Sequence, residues 1–254
     1  MDIFANVYSD AADAIRDNIE YVKKRDFEGL FREVNESGNI RLTGAVGKLL
    51  LEPIPNLINF FKTIPEYAFA LHADVGSVYI PESVSKIDMY AFYGNLCDEI
   101  IIDAKNISIG KGAFKSCSKL SNIVMYGASE LESEAFESCG SITKIPNISG
   151  ITEIKSRTFW NCISLEVINI PDGVRALKEG CFGQCRAATE MFIPNSVIDI
   201  DKNVIENCYN LSTIYYDGSR SQWKQIKKHG AWRKNCGEQK VFCSDGELTL
   251  RSRV

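Results

Sequence analysis

Apolar and polar positions along this chain recur with a long period. Phe69, Phe92, Phe114, Phe136, Phe159, Phe182 and Ile205 follow one another at intervals of 23, 22, 22, 23, 23 and 23 residues. Five residues before each stands an aliphatic: Ile64, Ile87, Ile109, Leu131, Ile154, Leu177 and Ile200. The residue just before each aromatic is small or β-branched, as in Ala91, Ala113, Ala135 and Thr158. Three residues after it comes a cysteine column, Cys117, Cys139, Cys162, Cys185 and Cys208, with His72 and Asn95 in the two earliest copies. A short alternating stretch follows, for example Leu165, Ile168 and Ile170, and this alternation predicts a half-buried strand. Pro and Gly end it in "IPESV", "IPDGV" and "IPNSV".

A unit of about 23 residues with one strand cannot bury its apolar face alone. Neighbours must stack, each strand pairing with the next in a parallel ladder, so the expected fold is a solenoid with continuous internal rows. Two copies depart from the pattern. After Phe92 the strand starts one residue early, putting Cys97 in the Leu place before Ile100 and Ile102. After Phe114, "YGASE" replaces Ile-Pro, and Asn147 then falls where an inward aliphatic is expected, which predicts a local change of curvature.

The joint recurrence of I-P-x-[SG]-V-x-x-I-x-x-x-A-F-x-x-C-x-x-L-x-x-I-x-I-P over about residues 63–217 closely resembles the BspA-type leucine-rich repeats of bacteria, their phages and some protists. The segment "IYYDGSRSQWKQIKKHGAWRKNCGEQKVFCSDGEL" also looks like the tail that often closes such arrays. The resemblance implies an α/β solenoid, a right-handed horseshoe of about seven 22–23-residue repeats, with protein binding by the strand face. It names no partner.

The expected division is a helical N-terminal domain at 1–62, the repeats at 63–217 and a basic C-terminal cap at 218–254. In the first segment Phe4, Val7, Ala11, Ile15, Ile19 and Val22 keep helical spacing, and Asp26, Thr43 and Pro55 suit the starts of further helices. These helices are expected to cover the first rung or to form a separate binding or dimerising module. In the cap, Trp223, Ile226 and Trp232 are expected on one side of a short helix, and "KVFCSD" (240–245) is expected to pair onto the last rung and close the sheet edge.

Charge adds a polarity. Residues 219–254 carry nine Lys/Arg against three Asp/Glu, a balance of +6, while residues 1–218 carry 20 against 30, a balance of −10. Lys224, Lys227, Lys228, Arg233 and Lys234 near two tryptophans could touch nucleic acid, but the acidic body would repel a phosphate backbone. An acidic protein surface suits that end better.

Catalytic chemistry finds no foothold in the pattern. "TGAVGKLLL" lacks the flanking glycine and the Ser/Thr of a phosphate loop, since positions 42 and 49 are both Leu. A one-dimensional row of thiols cannot supply zinc's tetrahedral corners, and the cysteines read as small buried hydrophobes. Neither an enzyme, a metal nor a cofactor is expected. The N-terminus carries acidic residues where a signal peptide carries basic ones, and the most apolar stretch is broken by Glu52, Pro53 and Pro55. With nine cysteines and no secretion signal, the expected location is a reducing cytoplasm, that of a host if the protein is phage-encoded.

The remaining candidate is the outward face of the strands. One row reads Tyr79, Ile101, Val124, Pro146, Asn169, Phe192 and Tyr215. The row two places earlier reads Ser77, Glu99, Asn122, Lys144, Val167, Glu190 and Thr213. Exposed apolar rows on a soluble protein are candidate interfaces. The expected function is stoichiometric protein binding by a monomer or dimer, as in a phage-encoded inhibitor of a host defence protein. The alternative is a structural or adhesive subunit of a virion or surface assembly, and nucleic-acid binding through the basic cap is a lesser one.

Overall fold

The computed structural model describes residues 62–71, 76–80 and 82–251. The helices expected within 1–61 lie outside the described residues, as does His72.

Each turn of the chain has three sides. The first is a long strand: β2 (Ser77–Ile80), β4 (Glu99–Ile102), β6 (Asn122–Met125), β9 (Val167–Asn169), β11 (Glu190–Ile193), β13 (Thr213–Tyr216) and β15 (Gln239–Cys243). The second is a short strand: β1 (Thr63–Ile64), β3 (Lys86–Ile87), β5 (Ile107–Ile109), β7 (Ala128–Leu131), β8 (Glu153–Ile154), β10 (Ala176–Leu177), β12 (Asp199–Ile200) and β14 (Lys227–Lys228). Except at one irregular copy, both series pair in parallel with the equivalent strand of the next turn, in register apart from a shift between β5 and β7. A last strand, β16 (Gly246–Leu250), turns back to pair antiparallel with β15.

The third side carries the aromatic column and explains why the repeats among the described residues lack the expected helix in each turn. Two residues before and two after each aromatic, the backbone is left-handed, as at Tyr90 and Gly94, Gly112 and Ser116, Arg157 and Asn161. Two such residues in every five prevent an α-helix from propagating. The side instead forms tight turns, with Lys115 N–H bonded to the Gly112 carbonyl and Cys117 N–H to the Phe114 carbonyl. The unusual backbone is held by a ladder between turns: the amides of Gly112, Phe114 and Ser116 bond to the carbonyls of Ser133, Ala135 and Glu137, and the same trio repeats along the molecule. Among the described residues the one α-helix is α1 (Arg220–Gln225). Ser219 caps it, its hydroxyl accepting from Gln222 N–H while the Gln222 side chain accepts from Ser219 N–H.

The core is the set of inward rows. Phe69, Phe92, Phe114, Phe136, Phe159 and Phe182 stack with centroid separations of 4.8, 5.2, 5.2, 5.4 and 5.6 Å, close to the spacing of paired strands. Cys97, Ile100 and Ile102 are buried in the shifted copy. Each fully buried Phe or Ile contributes on the order of 1.5–3 kcal/mol.

Two expectations are corrected here. The cap adds an eighth turn to the last rung, so the solenoid has about eight turns instead of seven. Trp232 takes the aromatic place, accepting from Ile205 N–H through its carbonyl, while Cys236 takes the cysteine place and β14 and β15 take the strand places. The inserted helix lengthens this turn, and Trp223, Ile226 and Trp232 are all buried against the core, although only Trp223 lies on the helix.

The second correction concerns the irregular copy. Both sheets divide there. Short strands β1–β7 and β8–β14 form separate sheets, as do long strands β2–β6 and β9–β16. Residues 144–147 form no strand beyond a bridge from Lys144 to Val167, because Pro146 has no N–H to give the ladder and points inward, buried. Asn147 is exposed, and Ile148 supplies the buried aliphatic that Asn147 was expected to replace. The third side continues across this joint, with the amides of Glu134, Phe136 and Ser138 bonded to the carbonyls of Ser156, Thr158 and Trp160.

Candidate functional site

The long-strand register brings the outward residues together in two groups. Tyr79 lies beside Ile101 and Ile101 beside Val124. Ser77, Glu99 and Asn122 run parallel to them, and both Glu99 carboxylate oxygens accept, from the Ser77 hydroxyl at 3.1 Å and the Asn122 amide at 2.6 Å. Tyr79 is 51% exposed, and its hydroxyl donates to Asp103 at 2.9 Å, which pushes the phenol pKa up.

Beyond the joint, Asn169, Phe192 and Tyr215 align, and the register adds Phe242 to the row. Phe192 and Tyr215 stack at 4.7 Å, and Tyr215 and Phe242 at 5.6 Å. The row shows its ring edges: Phe192 is 38% and Phe242 37% exposed, with Tyr215 half-buried between them. Glu190, Thr213 and Lys240 form a polar flank that continues into Val167. Lys144 and Pro146 do not join either group as strand residues. Lys144 is exposed at the joint, and Pro146 belongs to the interior.

Phe242 escaped the repeat reading because the helix insertion lengthens the last turn. Its signal was the local alternation of Lys240 and Phe242 with Val241. Tyr126, 58% exposed at the end of β6, was likewise missed, since it stands where the repeat has Pro.

The basic residues do not form one patch. Lys228 is turned inward, donating to the Trp223 and Ile226 carbonyls at 2.5 and 3.2 Å and lying 4.5 Å over the Trp223 ring. Its burial brings the ammonium down to about 8. Arg233 donates to the Gly237 and Arg251 carbonyls and to the Gln239 side chain. Lys234 pairs with Glu206 at 2.8 Å, while Lys224 and Lys227 are exposed. Buried tryptophans offer no face to a base.

The cysteine column has a polar role in addition to its size. The thiols of Cys117, Cys139, Cys162, Cys185, Cys208 and Cys236 each donate to the carbonyl of the aromatic-column residue one turn earlier, over 2.8–3.4 Å. Asn95 does the same in its copy, at 2.9 Å to the Phe69 carbonyl. All nine cysteines are free thiols and eight are buried. Burial pushes Cys97, Cys162 and Cys236 up to about 12, which leaves them protonated and unreactive at neutral pH. No group of three or more His, Cys, Asp or Glu residues suited to a metal ion occurs among the described residues. Nor is any described helix long and apolar enough to cross a membrane.

Among solved structures, a leucine-rich repeat protein from Bacteroides ovatus shares this fold, with 24% identity and a TM-score of 0.58 over 68% of this chain and 46% of that one. A leucine rich cell surface protein from Faecalibacterium prausnitzii is 26% identical over 66% of this chain and 60% of its own, with a TM-score of 0.40. The leucine-rich repeat protein of T. pallidum is 22% identical over 61% of this chain and 69% of its own, with a TM-score of 0.38. This chain thus spans less than two thirds of the Bacteroides and Faecalibacterium proteins. No curated protein matches it. The family described as BspA type leucine rich repeat region, in six copies, matches residues 54–165 and 127–229. With the stacked aromatic, cysteine and aliphatic rows as its physical signature, the chain belongs to the BspA-type leucine-rich repeat family.

Proposed function

We propose that this protein acts by stoichiometric protein binding, gripping its partner with the outward face of the long strands. The observation that carries this reading is the stacked row Phe192–Tyr215–Phe242, held rigid by strand register and exposed along its ring edges. Three aromatics fixed in this way lose little side-chain entropy when a partner covers them. Face-to-face stacking also selects the partner's chemistry. The inner ring faces are occupied by neighbours, so a base or sugar ring has no platform between them, whereas ring edges accept aliphatic side chains and carbonyl oxygens. Glu190 and Lys240 on the flank set orientation and encounter rate.

Two roles fit this surface. One is an inhibitor that occludes a host protein in a reducing cytoplasm, and the uncrosslinked thiols favour it. The other is an adhesive or structural subunit, which predicts assembly into large complexes.

The test compares immobilised wild-type protein with Phe192→Ala/Tyr215→Ala/Phe242→Ala, Tyr79→Ala and a Tyr67→Ala/Tyr209→Ala control on the remaining surface. Proteins captured from the native host are quantified, with circular dichroism to confirm folding. The triple variant is expected to weaken capture of the specific partner by about 10-fold or more, the scale of a hot-spot loss, while the control keeps it. A folded triple variant that retains the same partner at the same level would overturn the assignment.

A further inference from the structure

The solenoid's last sheet ends on an edge strand, β16. β16 pairs with β15 on one side, and no described residue pairs with its other side. Such an edge presents a row of unpaired backbone donors and acceptors, which folded proteins usually guard with charge, bulges or covering elements. This edge is long for the molecule, five residues. Its alternation is regular: Glu247 and Thr249 point outward beside Phe242 and Lys240, while Leu248 and Leu250 point inward and are only half-buried. The Arg233 guanidinium donates to the Arg251 carbonyl, tying the chain that follows the strand.

Strands opposed in a sheet must match inward with inward positions. Among the antiparallel self-pairings that do so, centring on Thr249 has a distinctive result. It sets Thr249 against Thr249, Leu248 against Leu250, and Glu247 against Arg251 of the other copy. The dimer then gains two Glu247–Arg251 ion pairs, one at each end of the contact, and the two half-buried leucines are covered. We propose that β16 is a homodimer edge, pairing antiparallel about Thr249 with a second copy of this chain. Glu247, 3.8 Å from Lys240 in its own sheet, guards the edge against an unrelated strand, and against the same strand it gains Arg251 of the other copy as a further partner. In the dimer the two five-stranded sheets run on as one, with both Phe192–Tyr215–Phe242 rows on the same outward face. The proposal stands independently of what those rows bind.

A strand edge of this length covers less than the ~1,200 Å² of a stable interface, so the association is weak and concentration-dependent. Sedimentation equilibrium of the full chain between about 5 and 500 µM reads it directly, and the apparent mass should climb from 28.4 kDa toward twice that value. The side chains involved are exposed, so the folding of variants is preserved and is checked by circular dichroism. Glu247→Arg alone sets Arg against Arg, and Arg251→Glu alone sets Glu against Glu. Each is expected to stay monomeric over the whole range. An equimolar mixture of the two single variants restores opposite charges at both ends and is expected to form the heterodimer. A wild type that remains monomeric at the highest concentration overturns the proposal. So do single variants that dimerise like wild type, which would place the contact elsewhere, and a mixture that fails to associate.

Discussion

A buried carbonyl on the third side of a turn has two lone pairs; a backbone N–H of its own turn takes one, and the cysteine column supplies the donor for the other. The carbonyl of Phe114, for example, faces the core behind a buried ring and accepts from the Cys139 thiol at 3.0 Å. A thiol is small enough for the row and polar enough for the bond, while Asn95 shows that a stronger donor is tolerated in the same place. Apolarity alone would favour Val there. Substituting Cys139→Ala or Cys139→Val should therefore destabilise the protein by about 0.5–1.5 kcal/mol, because the buried carbonyl keeps the Cys117 N–H but loses its second hydrogen bond. Cys139→Ser, which keeps a donor, should cost less than either. Urea unfolding midpoints for the three variants decide the matter, and a Val variant as stable as wild type would show that the column is selected for size alone. Trp160 illustrates the same economy of space. Its ring lies where any side chain at Gly183 would stand, 2.1 Å from an added Cβ, with the Arg157 guanidinium 4.4 Å from its centroid.

At the scale of elements, the irregular copy is where two sheets end and two begin, and ion pairs concentrate on the side that still continues. Glu137 is buried, accepts from Arg157 through both oxygens at 2.7 and 3.1 Å, and lies 3.4 Å from Lys115. Glu134 pairs with Lys115 at 2.7 Å and Lys111 at 3.4 Å, and Glu132 with Lys155. Burial, the largest single influence, would raise the Glu134 carboxyl, but the hydrogen bonds and charges of Lys115 and Lys111 together outweigh it and hold the pKa below the usual 4.5. The Lys155 hydrogen bond lowers Glu132 in the same way. A carboxyl depressed in the folded state adds stability that is present above about pH 4.5 and lost as pH falls through the folded value. Thermal melts should therefore drop below pH 4.5, and the drop should be shallower in Glu134→Gln. At neutral pH, Glu137→Gln should cost about 1–3 kcal/mol, since Arg157 loses a bidentate partner. This joint was half legible in the sequence. "YGASE" in place of Ile-Pro marked the copy as irregular, but Pro146 was placed on the outward row because its register was carried over from the regular copies. The aromatic and cysteine columns were legible because period and burial coincide in them. The eighth turn was not, because an inserted helix breaks the period while the packing persists in Trp232 and Cys236.

For the whole molecule, stability in a solenoid is close to a sum over neighbouring turns, so a joint that loses two of its three ladders should divide the molecule energetically. Before it stand β1–β7, and after it β8–β16, which include the five-stranded sheet carrying the Phe192–Tyr215–Phe242 row. Across it run the third-side amide ladder and the Glu137–Arg157 and Glu132–Lys155 pairs. Native-state hydrogen exchange should therefore resolve two cooperative blocks, with amides of 144–150 exchanging faster than those of β6 or β9. Glu137→Gln should raise exchange in the block before the joint more than at Ile168, Met191 or Ile214. These three lie in the interior of the larger sheet, supported by turns that the substitution leaves untouched. A single protection level for both blocks, moving together in the variant, would mean that the third side alone couples the turns. The binding row would then respond to any change along the full length of the solenoid. Two levels mean instead that the aromatic row sits on a block whose rigidity is set locally, by the stacked turns from Phe159 to Trp232, and is insulated from events before the joint.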